Sequence, residues 1–98
     1  MKITKEKNEN GALTIRMEGQ LDTEAAPEAE KAIGGLEGVT DLTIDMNGLL
    51  YISSSGIRML AALQETMDEQ GSMVIINADK EILQAFEITG LNDIFNIK

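Results

Sequence analysis

The order of hydrophobic patterns along this chain predicts a two-layer α/β domain, with a mostly parallel sheet of four to five strands and helices mainly on one face. Three observations carry that prediction. Strand-like and helix-like runs follow one another in the order β-β-α-β-α-β-α. The β-α-β-α-β portion calls for right-handed crossovers between parallel strands. Two of the strands alternate apolar with polar residues, so one sheet face meets water and the helices cover the other.

Lys2 to Lys7 reads as a first, edge-like strand. Asn8-Glu9-Asn10-Gly11 is a turn, because Asn-Gly is the usual hairpin signal. Ala12 to Gly19 alternates: Leu13, Ile15 and Met17 share one face, and Thr14, Arg16 and Glu18 share the other. Gly19-Gln20-Leu21-Asp22-Thr23 leads into the first helix, for which Asp22 or Thr23 supplies the cap. Pro27 fits only the first turn of a helix, so this one starts near Thr23 to Ala26. It runs to about Ile33, where Gly34-Gly35 ends it.

Thr40 to Met46 is the next alternating strand, with Leu42, Ile44 and Met46 on one side. Asn47-Gly48 reads as a turn, and Leu49 to Ile52 as an apolar approach to the serines that follow. From about Ser54 to Glu69 the pattern is helical. Projected at ~100° per residue, Met59, Leu60, Leu63 and Met67 form one face, with Ala62 and Thr66 beside them. Arg58, Gln64, Glu65, Asp68 and Glu69 cover the opposite face, and Ile57 falls at the rim. Gln70-Gly71 stops the helix. Met73 to Ile76 is a continuous apolar run, as expected of a strand with neighbours on both sides. Asp79 can cap a third helix, about Lys80 to Thr89, which Gly90 ends. Leu91, Ile94 and Phe95 dock the C-terminal segment. There are no repeats, linkers or low-complexity segments, which predicts one domain over residues 1–98.

The bulk composition excludes several function classes. Cys and His are both absent. That removes thiolate chemistry, a disulfide framework, the usual general base and the commonest nitrogen ligand for transition metals. A serine nucleophile lacks its activating base, and no lysine lies near the serine run to replace it. No enzyme activity, metal or cofactor is expected. Seventeen acidic against eight basic residues give a formal net charge of −9. Such a chain repels nucleic acid and anionic membranes, and favours solubility and encounter with a basic partner surface. No apolar run spans a bilayer and no signal-peptide pattern opens the chain, so a cytoplasmic monomer is expected. Gly34, Gly35 and Gly38 do not form a phosphate-binding loop, since the Gly-Lys-Ser/Thr ending is missing.

The centre of interest is Tyr51-Ile52-Ser53-Ser54-Ser55-Gly56-Ile57-Arg58, at the start of the second helix. Serines there can cap the helix, and a phosphate there would meet free N–H groups and the positive end of the dipole. Neither Gly56 nor Ile57 supplies the acid of a capping box. Both uses of the serines stay open on the residues alone. Asp22 is a helix cap or a partner contact, and Ile57 is edge packing or a small apolar anchor for a partner. Gly56 serves close approach of the backbone.

This stretch resembles the signature of the STAS domain, typified by bacterial anti-sigma factor antagonists. Gly19-Gln20-Leu21-Asp22 resembles that family's first loop, and the element order extends the similarity over nearly the whole chain. The resemblance implies a STAS-like fold and a switch. In the antagonists, a serine before the second helix is phosphorylated by an anti-sigma factor serine kinase. The unphosphorylated antagonist binds that kinase and frees a sigma factor, and a PP2C-type phosphatase resets the cycle. The family motif is Asp-Ser-Ser/Thr/Ala-Gly, with the phosphoacceptor directly after the Asp. Ser54 holds that position here, while Ser53 stands in place of the Asp. Asp22 matches the family acid close to the phosphoacceptor. The resemblance thus implies phosphorylation at Ser54, with Asp22, Ser53, Ser55, Gly56 and Ile57 around it for the partner. The competing expectation keeps the fold without the switch: a STAS scaffold subunit of a transporter or stress-signalling complex.

Overall fold

The computed structural model describes all 98 residues. Its elements are β1 (Lys2–Lys7), β2 (Ala12–Leu21), α1 (Ala25–Ile33), β3 (Asp41–Ile52), α2 (Ser54–Gln70), β4 (Ser72–Ile76) and α3 (Lys80–Thr89). The strands lie side by side in the order β1-β2-β3-β4. β1 is antiparallel to β2, and β2, β3 and β4 are parallel. The last residues add a partial fifth strand. Ile97 pairs with Ile75, Ile75 donates its N–H to the Asn96 carbonyl, and Lys98 donates to the Ile75 carbonyl. β4 therefore has a neighbour on each side, as its continuous apolar run predicts.

The local chemistry explains the ends of the elements. Asn10 and Gly11 both adopt positive φ, 65° and 85°, and turn the chain between β1 and β2. Asparagine and glycine are the residues that accept this conformation most readily. Asp79 caps α3 by accepting from the Ile82 N–H at 3.0 Å, and Gly90 closes that helix in the left-handed region. At the far end of α2, the Gln70 amide donates to the Leu36 and Val39 carbonyls at 2.6 and 2.7 Å. It fixes the loop that carries the chain from α1 to β3.

One face of the sheet and the helices share a core of 24 buried hydrophobic residues. Leu13, Ile15, Met17, Leu42, Ile44, Met46, Met73 and Ile75 supply the sheet side of it. On the opposite face, Thr14, Thr43, Asp45, Val74 and Ile76 are half-buried and Arg16 is exposed. This is the two-layer arrangement that the alternation predicts. Phe86 and Phe95 pack with their rings 5.2 Å apart and hold the C-terminal segment.

Four expectations are corrected. Asn47-Gly48 does not end a strand, because β3 continues to Ile52. The buried positions change spacing there, from Leu42, Ile44 and Met46 to Leu49 and Ile52. Two register shifts against β2 account for it, each placing an extra β3 residue in the ladder. They are β-bulges, which an Asn-Gly pair serves as readily as it serves a turn. Gly19 to Leu21 likewise stay in β2 instead of forming a loop. The buried arc of α2 is rotated relative to the projection: Ile57 and Gln64 are buried, while Ala62 and Thr66 are exposed. Gln64 keeps a hydrogen bond from its amide to Asp68 at 2.8 Å. Finally, Phe95 docks but Ile94 stays 46% exposed.

Candidate functional site

The serine run lies where β3 ends and α2 begins, and the end of β2 lies beside it. The Ser53 N–H donates to the Leu21 carbonyl at 2.8 Å. Ser53 has extended backbone, and its hydroxyl accepts from the Gly56 N–H at 3.1 Å. Its carbonyl accepts from the Ile57 N–H at 3.0 Å. All its polar groups are thus engaged in the fold, and it is only 8% exposed. Ser53 is the N-cap of α2, a role that needs an acceptor oxygen on a short side chain and that Asp fills as well as Ser.

Gly56 is present for space. A Cβ built on it would stand 2.8 Å from Leu21 Cγ and 3.0 Å from Ile52 Cγ1. Leu21 is fully buried, so the first turn of α2 rests directly on the ends of β2 and β3. Ser54, the first helical residue, is exposed. Ser55 is half-buried and faces a groove between α1 and α2, lined also by Thr23, Pro27, Glu30 and Arg58.

Asp22 lies next along the chain from Leu21, the partner of Ser53. Its Oδ1 accepts from the Ala25 N–H at 2.8 Å and its carbonyl accepts from the Ala26 N–H. The capping expected of Asp22 is therefore present. Asp22 is half-buried, and only one of its carboxylate oxygens is taken up by the cap. Ile57 is 1% exposed, so the rim position expected for it is corrected. It belongs to the core and offers no apolar anchor to a partner.

Two exposed apolar residues missed in the sequence flank the site instead. Leu50 is 67% exposed and Tyr51 50% exposed. The bulges of β3 put them outside, and the signal available in the sequence was a four-residue apolar run that breaks strand alternation. Leu50 borders a shallow depression together with Asp22, Glu24 and Glu28. On its other side, Leu50 and Tyr51 line a second depression together with Glu81 and Gln84 of α3. The surface around the serines is thus an apolar ridge with carboxylates on both flanks.

The other carboxylates that could suggest chemistry have structural partners. Asp45, on the open sheet face, accepts from the Asn77 amide at 2.9 Å, the Asn47 N–H at 3.0 Å and Arg16 Nε at 3.4 Å. The Asn77 hydrogen bond is the main cause that lowers its pKa, and the Asn47 and Arg16 contacts add to it against partial burial. Asp41 accepts from the Thr40 hydroxyl. No three acidic side chains converge as a cation site would require. No helix is long and apolar enough to cross a membrane.

Comparison with known proteins places this geometry. Residues 2–98 match the model of the STAS domain. The anti-sigma-B factor antagonist of Bacillus subtilis (strain 168) is 30% identical over 92 residues, which cover 92% of this chain and 84% of that protein. An anti-sigma factor antagonist from Mycobacterium paratuberculosis superposes with a TM-score of 0.86 at 23% identity, covering 98% of this chain and 83% of the other. The anti-sigma factor antagonist SpoIIAA in its unphosphorylated form gives 0.82 at 19% identity, covering 99% and 88%. SpoIIAA in its phosphorylated form gives 0.75 at the same identity, covering 99% and 91%.

Proposed function

The chain belongs to the STAS domain family of anti-sigma factor antagonists, and from that premise we propose that it is a one-domain regulatory binding protein switched at Ser54. In its unmodified form it binds an anti-sigma factor serine kinase through the surface formed by Asp22, Ser54, Ser55 and the Leu50-Tyr51 ridge. Phosphorylation of Ser54 ends that binding, and a PP2C-type phosphatase restores it. The protein acts in the cytoplasm as a monomer and catalyses nothing itself.

The observation that supports this reading is the contrast between neighbouring serines. Ser53 is buried and committed to the cap, while Ser54 is exposed. A kinase can reach the second hydroxyl without disturbing the bonds made by the first. A phosphate adds about −1.5 to −2 charge and three acceptor oxygens at that point. An interface closed over a neutral hydroxyl then meets a bulky anion beside Asp22. A loss of only about 1.4 kcal/mol lowers affinity tenfold, so a switch needs no change of fold.

The test is incubation with ATP and a cognate anti-sigma factor kinase, followed by mass spectrometry. One added phosphate mapping to Ser54, and absent from Ser54→Ala, is the expected result. Phosphate that persists in Ser54→Ala overturns the site.

A further inference from the structure

Arg58 stands four residues after Ser54 on α2, and both side chains are exposed. Residues at that spacing lie about 40° apart around a helix and roughly 6 Å apart along it. They form a neighbouring pair on one face. Helical side chains also lean toward the N-terminus, so the guanidinium of Arg58 reaches back over the first turn.

Arg58 lacks the partners an arginine usually finds. The ion pairs within 4.0 Å involve Lys2 and Arg16, and Arg58 forms none. Its helix neighbours at three and four residues in either direction are Ser54, Ser55, Ala61 and Ala62. None is a carboxylate. Across the groove α1 presents Glu30, whose carboxylate lies beyond ion-pair distance. In a chain with 17 acidic and 8 basic residues, an unpaired arginine is placed among hydroxyls.

We infer that Arg58 is the intramolecular phosphate-binding residue of this protein, and that phosphoserine 54 pairs with its guanidinium along α2. The inference rests on the proposed modification of Ser54 and adds what becomes of the phosphate. The planar fork of arginine matches two phosphate oxygens. The pair holds the phosphate against the helix and withdraws an exposed cation from the surface. Modification thus changes two charges at the interface: an anion appears, and the nearest cation is neutralised.

The experiment installs phosphoserine at position 54 during translation by genetic-code expansion, so no kinase is needed. Phosphorus NMR then follows the second ionisation of the phosphate, ordinarily near pH 6, in the wild-type background and in Arg58→Gln. Pairing favours the dianion, so the wild-type phosphate should titrate about half a unit lower than in Arg58→Gln, with Arg58→Lys between them. The carboxylates of Asp22 and Glu30 are the same in all three proteins, so the comparison between variants isolates the residue at position 58. Arg58→Gln should also lower the melting temperature of the phosphorylated protein more than that of the unmodified one. Coincident titration curves, or equal melting shifts with and without phosphate, overturn the pairing. Failure of a kinase to modify Ser54 is a separate result: it overturns the switch and does not alter this titration.

Discussion

The Ser53 N–H donates to the Leu21 carbonyl across 2.8 Å, joining two stretches about thirty residues apart in the chain. One bond fixes the end of β2 against the start of α2. It brings Asp22, which follows Leu21, beside Ser54, which follows Ser53. The proposed recognition surface is therefore built from two crossovers of a parallel sheet, at the ends of adjacent strands.

The cap at Ser53 gives a direct stability prediction. Ser53→Ala leaves the Gly56 N–H without its acceptor and should cost about 1 kcal/mol. For a domain of this size that is a fall in melting temperature of roughly 4–8 °C. Ser53→Asp restores the acceptor and should remain within about 0.5 kcal/mol of the wild type. Thermal denaturation followed by circular dichroism compares the three proteins. If Ser53→Ala melts with the wild type, the cap is energetically idle.

Gly56→Ala should destabilise the fold although alanine is the better helix former. The helix gain is about 1 kcal/mol. Against it, the new methyl group meets buried Leu21 at 2.8 Å and Ile52 at 3.0 Å. Overpacking of that kind costs about 1–3 kcal/mol, so the net change should be a loss. The urea midpoint measures it, and a midpoint above the wild type would show that Leu21 moves aside freely.

Ile57 and Leu50 should separate folding from binding. Ile57→Ala removes a fully buried side chain and should cost about 2–5 kcal/mol. Leu50→Glu changes an exposed residue and should alter stability by less than about 0.5 kcal/mol. Calorimetric titration against the kinase should nonetheless show weaker binding for Leu50→Glu. Unchanged affinity would remove the ridge from the interface.

Asn77→Gly should lower stability in a pH-dependent way. The Asn77 amide holds the Asp45 carboxyl below its ordinary range. Asp45 is then more acidic in the folded than in the unfolded protein. Its contribution is present above the unfolded value, about 3.9, and is lost as pH falls through the folded value. The variant should therefore be weaker than wild type at pH 7, and the gap should narrow below about pH 4. Glycine accepts the positive φ of 61° at this position, so backbone strain does not confuse the comparison. Urea denaturation at several pH values checks it, and a constant gap would assign the effect to something other than the carboxylate.

Much of this was legible from residue order. The alternation of Leu13, Ile15 and Met17, and of Leu42, Ile44 and Met46, identified the wet and dry sheet faces because strand periodicity is strict. Asp22, Asp79 and Gly90 marked helix ends by their capping chemistry. Asn47-Gly48 misled because the same pair suits a turn or a bulge, and only pairing with β2 decides between them. Ile57 and Gln64 were misplaced because the rotation of a helix about its axis depends on what it packs against. The Leu50-Tyr51 ridge was hidden for the same reason as the bulge: once strand register slips, alternation no longer tells inside from outside.

Helix α2 is anchored at both extremities, by Ser53 and Leu21 at one and by the Gln70 amide on Leu36 and Val39 at the other. A rod clamped at both ends cannot swing. A charge placed at Ser54 has no lever through which to reach the rest of the molecule. In the proposed switch, the partner that reads the charge meets it directly, and the signal leaves this protein at the same spot where the modification enters it.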